Sequence, residues 1–181
     1  MTVVARYLRE FPDEEQRLSC LQEFLREITD RKQLFDRKNF NGHITASGFV
    51  VSPGRDKLAV VEHPSLKRRL QPGGHVEHDD ESILSAAIRE IHEETNLRAF
   101  KHILYCDDPH FPLDIDTHEI PANPKKNEPR HFHHDFRFLF QTDELVEPAA
   151  ADWSWQPLET AIAEESYQFA YRKIRRLFDK L

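Results

Sequence analysis

The chain has 181 residues, 39% of them hydrophobic, and a formal charge of −7, which fits one domain of ordinary size with a real core. The negative balance argues against general attraction to nucleic-acid backbones or anionic membranes, and it favours small-molecule partners. Only Cys20 and Cys106 are present, too few for a disulfide framework, so a reducing compartment is the simpler expectation.

Arg6, Arg9, Glu10, Pro12 and Asp13 break up the first 25 residues. No apolar run there suits a signal peptide or a membrane helix, and a cytoplasmic location is expected by default. From Asp13 to Ile28 the apolar residues Leu18, Leu21, Phe24, Leu25 and Ile28 recur at helical spacing, which predicts a helix with Asp13 as its N-cap. Ile44 to Val51 and Lys57 to Glu62 are rich in Val and Ala and flank the turn Ser52-Pro53-Gly54-Arg55-Asp56. They read as a strand pair.

A loop over Pro72 to Asp80 leads into a helix over Glu81 to Thr95, followed by strands centred on Ile103, Ile115 and Phe136. The proline-containing stretch Pro121 to Pro129 reads as a hairpin loop between the last two of these. A closing helix presents Phe169, Ile174, Leu177, Phe178 and Leu181 on one face.

On the helix ending at Thr95, Glu90, Glu93 and Glu94 fall within one arc about 100° wide, beside an apolar arc of Leu84, Ile88 and Ile91. Carboxylates this close repel one another by about 1 kcal/mol per pair in water at 4 Å, and by more where water is excluded. A cation should neutralise them, and hard oxygen ligands suit Mg²⁺ or Mn²⁺. Ala86, Ala87 and Ile83 lie toward the helix start, where small side chains let a loop backbone approach. Gly73 and Gly74 can supply that backbone, with a carbonyl as a further ligand. A Glu-rich helix face standing alone is usually just solvated.

The string from Gly73 to Leu97, GGHVEHDDESILSAAIREIHEETNL, resembles the Nudix box: Gly, five residues, Glu, seven residues, then Arg-Glu-apolar-x-Glu-Glu-x-Gly-apolar. Glu81 and the run Arg89-Glu90-Ile91-His92-Glu93-Glu94-Thr95-Asn96-Leu97 keep the second half in register. Two departures stand out: six residues separate Gly74 from Glu81, and Asn96 replaces the glycine. Asn is the best substitute for Gly in the left-handed turn that ends many helices.

The resemblance implies an α+β Nudix fold, a mixed sheet sandwiched between helices, spanning residues 41–181 and carrying an N-terminal helical extension over residues 1–40. It implies metal-binding roles for Glu90, Glu93, Glu94 and the Gly73 carbonyl, with Arg89 orienting Glu90, and catalytic roles for Glu90, Arg89 and Glu93. Glu90 is the first choice of base. The implied reaction is metal-dependent hydrolysis of a phosphoanhydride in a nucleoside diphosphate linked to another moiety, releasing phosphomonoesters. The alternatives are a Nudix-fold module that binds nucleotide without turnover, and a diphosphate isomerase, which would need a positioned cysteine. The partner expected is a nucleotide or other diphosphate, with a homodimer left open.

Asp114, Asp116 and His118 alternate on one strand, and His131, His133 and Asp135 on the next, so a hairpin would set them on one face. Phe132, Phe136, Phe138 and Phe140 alternate with the polar groups of the second strand, and His134 interrupts the aromatic side. Such a face could line the substrate pocket, hold a second divalent metal, or simply be solvated. The substrate-binding candidates are Arg69, Gly74, Glu81, Asp116, His131, His133 and Asp135. Lys67, Arg68 and Arg69 could steer phosphates or form a solvated turn. Trp153, Trp155, Tyr167 and Phe169 could stack on a base, although near a terminal helix such residues more often complete a core. Pro112 stands fifteen residues after Leu97, a spacing that resembles one found in ADP-ribose-type Nudix enzymes.

Overall fold

The computed structural model describes residues 2–63, 68–148, 152–161 and 167–179. Lys67 and Leu181 lie outside the described residues. The organising strand is β1 (His43–Val51), whose nine residues are all buried, as expected of a central strand covered on both faces. It runs parallel to β7 (His131–Thr142), from His43 opposite His133 to Val51 opposite Gln141. On its other side it pairs antiparallel with the short β4 (Gly73–His75).

Three further strands build the β1 side of the sheet: β2 (Lys57–His63), β3 (Arg68–Leu70) and β8 (Trp153–Pro157). β2 pairs with both β3 and β8. On the far side, β5 (Phe100–His102) and β6 (Asp114–Ile120) both pair with β7. The sheet is mixed, with order β3-β2-β1-β7-β5 along its main path.

Side-chain parity divides this sheet into two faces. Ile44, Ala46, Val50, Phe136, Phe138 and Phe140 join a core with Ala86, Ala87 and Ile91 of α3 (Ile83–Thr95). Gly48 allows that contact, because a Cβ there would lie 2.5 Å from Ile91 Cδ1 and 3.0 Å from the Phe140 ring. On the opposite face, Phe49, Val51, Leu58, Val60 and Leu139 meet Tyr167 and the residues Ala170, Ile174 and Leu177 of α5 (Gln168–Phe178). A short α4 (Leu158–Ala161) leads toward α5. The sheet is therefore sandwiched between helices, as the α+β reading expected.

Both ends of α3 are specified locally. Ser82, one residue inside the expected start, is the N-cap: its Oγ accepts from the Ser85 amide at 3.0 Å, and Ser85 Oγ accepts from the Ser82 amide at 2.8 Å. The helix ends at Asn96 in the left-handed conformation, φ 56° and ψ 13°, the geometry in which Asn can replace Gly.

Several boundaries differ from expectation. The single helix over residues 13–28 is instead a 3-10 turn at Pro12–Glu14 followed by α2 (Ser19–Glu27), so Asp13 is not its N-cap. A preceding helix, α1 (Val3–Glu10), was not anticipated; it buries Val4 and Tyr7 and is capped by Thr2. The break between α1 and α2 lets Glu14 turn inward toward Tyr7. The strand centred on Ile103 ends just before it, and its length is only three residues. The strands β1 and β2 share one pairing, Val51 with Leu58, because β7 and β4 occupy the edges of β1.

The inward turn completes a buried ionic cluster. Lys173 of α5 is 2.7 Å from Glu14 and 2.9 Å from Asp114, and it also donates to the Tyr7 hydroxyl. Arg17 reaches Glu14 at 2.6 Å and Asp114 at 2.5 Å, while Arg137 reaches Asp114, Asp116 and Asp135. Burial alone would raise the Asp114 carboxyl, but Lys173, Arg17 and Arg137 outweigh it and hold it below the usual carboxylate range. Such a cluster is costly to break from one side, since the remaining charges stay buried without partners. Asp114→Ala should therefore destabilise the protein by about 3–5 kcal/mol, read as a lower urea midpoint. A loss below about 1 kcal/mol, the worth of an exposed pair, would contradict this account.

Candidate active site

Helix α3 presents Glu90, Glu93 and Glu94 toward the loop that ends in β4. Because β4 pairs with β1 in the register Ala46–Gly74, Gly74 faces the helix. A Cβ on Gly74 would fall 2.6 Å from Glu90 Cδ, so any other residue there would displace that carboxylate from its place. The Gly73 amide donates to Glu94 Oε2 at 2.9 Å.

Arg89 ties the loop to the helix. Its Nη1 donates to Glu90 Oε1 at 2.8 Å and to Glu93 Oε2 at 3.1 Å. Its Nη2 donates to the His75 carbonyl at 2.8 Å and to Asp80 Oδ2 at 2.9 Å, and its Nε to Asp80 Oδ1 at 3.1 Å. The bidentate partner is thus Asp80, whereas Glu81 is exposed. The signal was present in the sequence, since five residues counted on from Gly74 lead to Asp80. The two-residue choice is settled by the turn in which the Glu77 amide donates to Asp80 Oδ2 at 2.8 Å.

The environment of the acids is strained electrostatically. Burial, with the charges of Glu90 and Glu93, pushes the Glu94 carboxyl up to about 7 against the opposing Gly73 hydrogen bond. Burial also raises Glu90, while Arg89 pulls it back. Glu93 keeps 57% of its side chain exposed, against 13% for Glu90. Three carboxylates beside a glycine backbone form a hard oxygen donor set with excess negative charge, which fits a divalent cation.

The other sequence candidates sit elsewhere. Asp116, His131, His133 and Asp135 do share the face opposite α3, with Asp116 paired to Asp135 and His118 to His133. On that face His131 and Asp135 are buried, and Asp116 and His133 are half-buried. Asp135 accepts from Ser47 Oγ at 2.7 Å, Arg137 Nε at 3.0 Å, Gln71 Nε2 at 3.2 Å and Thr45 Oγ1 at 3.2 Å. Arg137, together with the His118 contact, holds Asp116 down to about 2 against its burial. His134, on the aromatic side, stacks on Phe24 at 4.9 Å. Sequence reasoning passed over His43 and His75, which pack among His131 and His133.

Arg69 is exposed on edge strand β3, opposite Glu62. Trp153 and Tyr167 are core residues, and Trp155 packs partly against the same core as Trp153. Phe169 lies between the guanidinium groups of Arg17 and Arg172, 4.3 and 4.6 Å away. Pro112 is buried between Phe111 and Leu113. Among the described residues, no helix is long and apolar enough to cross a membrane.

The raised Glu94 has a measurable consequence in metal-free protein. Between the ordinary carboxyl value of 4.5 and about 7, the folded chain keeps a proton that the unfolded chain has released. Stability contributed by that protonated group is therefore lost as pH rises through this window. Glu94→Gln removes the penalty, so in chelator its melting temperature should exceed that of the parent chain by more at about pH 8 than at about pH 5. A gap that stays constant with pH would refute the assignment.

Comparison with known proteins agrees with this architecture. The NUDIX domain family model matches residues 42–178. A probable DHNTP pyrophosphohydrolase of Lactococcus lactis subsp. cremoris is 40% identical over 129 residues, 71% of each chain. Two solved structures share the fold. The E. coli dihydroneopterin triphosphate pyrophosphohydrolase has a TM-score of 0.55 at 12% identity, covering 75% of this chain and 95% of that one. A NUDIX-family hydrolase from Clostridium perfringens has a TM-score of 0.52 at 22% identity, covering 77% and 98%. Nudix hydrolases act on nucleotide pyrophosphates and use divalent metal ions. The breadth of the family match, joined to a box helix seated on its glycine strand, means that this chain belongs to the Nudix superfamily of pyrophosphohydrolases.

Proposed function

We propose that the chain is a Mg²⁺- or Mn²⁺-dependent pyrophosphohydrolase, and that its first-choice substrate is dihydroneopterin triphosphate, cleaved to a phosphomonoester and pyrophosphate. The observation that carries the reaction class is the convergence of Glu90 and Glu94 on the Gly73–Gly74 backbone, with Arg89 spanning Glu90 and Glu93. The pterin triphosphate is favoured by the Lactococcus relative, which carries that activity in its name at 40% identity. Nucleoside diphosphates linked to another moiety are the second class of substrate.

Glu90, Glu93, Glu94 and the Gly73 carbonyl would hold the cation, which when bound polarises phosphoryl oxygens and neutralises their charge. Arg89 occupies Glu90 Oε1, leaving Oε2 to accept a proton from the attacking water. Burial raises the Glu90 carboxyl, which makes it a stronger base once ionised. Water oxygen bonds to the phosphorus that carries the organic moiety as the bridging P–O bond breaks, and the bridging oxygen leaves with the electron pair on the departing pyrophosphate. The Asp80–Arg89 pair keeps Glu90 in place throughout and thereby lowers the cost of reorganising the site.

The test is a substrate panel: dihydroneopterin triphosphate, nucleoside triphosphates, nucleotide sugars and dinucleoside polyphosphates, each with Mg²⁺ or Mn²⁺. Phosphomonoester release that falls about 10²–10⁴-fold in Glu90→Gln is the expected result. Nucleotide binding with no turnover of any member would instead identify a binding module, and an isomerised intact diphosphate would identify an isomerase. Fastest turnover of a nucleotide sugar, with the pterin triphosphate untouched, would move the substrate to the second class.

A further inference from the structure

At one end of the sheet, on the face away from α3, His43, His131 and His133 each bring one ring nitrogen to within 4.8 Å of the others. Their ring centroids are 4.6 to 5.2 Å apart. The trio comes from the parallel pairing of β1 with β7, which sets His43 opposite His133, and from the alternation that returns His131 to the same face. His75 and His118 border it, with ring centroids 5.3 and 5.7 Å from that of His133.

Two features mark these rings as ligands rather than packing. His131 Nδ1 lies 2.8 Å from the Pro129 carbonyl, which can only accept, so that nitrogen carries the proton and Nε2 carries the lone pair. This is the outer contact that orients metal-binding histidines. His43 is fully buried, its Nδ1 lies 3.4 Å from the Asn39 carbonyl, and its Nε2 finds no hydrogen-bond partner among the described residues. A buried polar atom without a partner calls for an explanation, and a metal ion is one of the few that fit.

We propose that His43, His131 and His133 form a Zn²⁺ site, separate from the carboxylate centre, with the fourth position open to water. Three neutral imidazoles suit Zn²⁺, whereas the oxygen set on α3 suits Mg²⁺ or Mn²⁺. Zn–N bonds of about 2.0–2.1 Å in a tetrahedron require the rings to close inward from their present spacing by small rotations. The site would clamp the first residues of β1 to those of β7, two residues along β1 from Thr45, the partner of His75, whose carbonyl holds Arg89.

The experiment uses the Glu90→Gln/Glu94→Gln chain, in which the carboxylate centre has lost two of its three carboxylates. Equilibrium dialysis against Zn²⁺ with elemental analysis should find one ion per chain, and Zn²⁺ should raise its melting temperature. Adding His131→Ala and His133→Ala should abolish both effects. If that variant unfolds, Co²⁺ added to the histidine-intact chain supplies the second readout, because tetrahedral nitrogen ligation gives visible absorption that is far more intense and at longer wavelength than the weak bands of octahedral oxygen ligation. No uptake of Zn²⁺ by the histidine-intact chain, uptake unchanged without the two histidines, or a purely octahedral Co²⁺ spectrum would each overturn the proposal. Histidine-dependent binding of inorganic pyrophosphate in place of Zn²⁺ would overturn it too and assign the cluster to substrate phosphates.

Discussion

The arrangement depends first on one guanidinium group. Arg89 makes five contacts, to both Asp80 oxygens, the His75 carbonyl, Glu90 and Glu93, so a single planar fork joins the glycine strand, the turn after it and the acidic helix face. Without that charge the two acids would lose their common partner and the His75 carbonyl would lose a donor. Lysine could not substitute, because a compact ammonium cannot span three elements at once.

Close backbone approach makes this possible. Gly48 lets Ile91 rest on β1, and Gly74 leaves space for the Glu90 carboxylate, so the helix sits near enough for Arg89 to reach across. The same proximity takes water from Glu90 and Glu94 and raises both. The site is thus built with unfavourable charge that folding elsewhere must offset, as is common where groups are prepared for chemistry. A divalent cation bound there would relieve that cost and so couple metal binding to stability.

The opposite face handles charge in another way. There Asp114, Asp116 and Asp135 are matched by Arg137, with Lys173 and Arg17 completing the set around Asp114. Asp114 and Asp116 are depressed rather than raised. Glu90 and Glu94 on one side and Asp114 and Asp116 on the other therefore carry opposite perturbations, and the difference is the number of cations set against each carboxylate rather than the degree of burial. The N-terminal segment supplies Tyr7, Glu14 and Arg17 to this cluster, so it takes part in the electrostatic closure of the sheet edge.

Much of this was legible in local pattern. The 3.6-residue period placed Glu90, Glu93 and Glu94 together, the alternation on β6 and β7 put their polar groups on one face, and Asn96 carried the helix stop, because each signal acts within a turn or a strand. What required the fold was every choice between distant partners. The sequence did not reveal that β1 would pair with β7 rather than mainly with β2, or that His43 and His75 would meet His131 and His133. These contacts join residues far apart in the chain. No periodicity encodes them, and only the packing of the sheet decides which groups arrive at the same place.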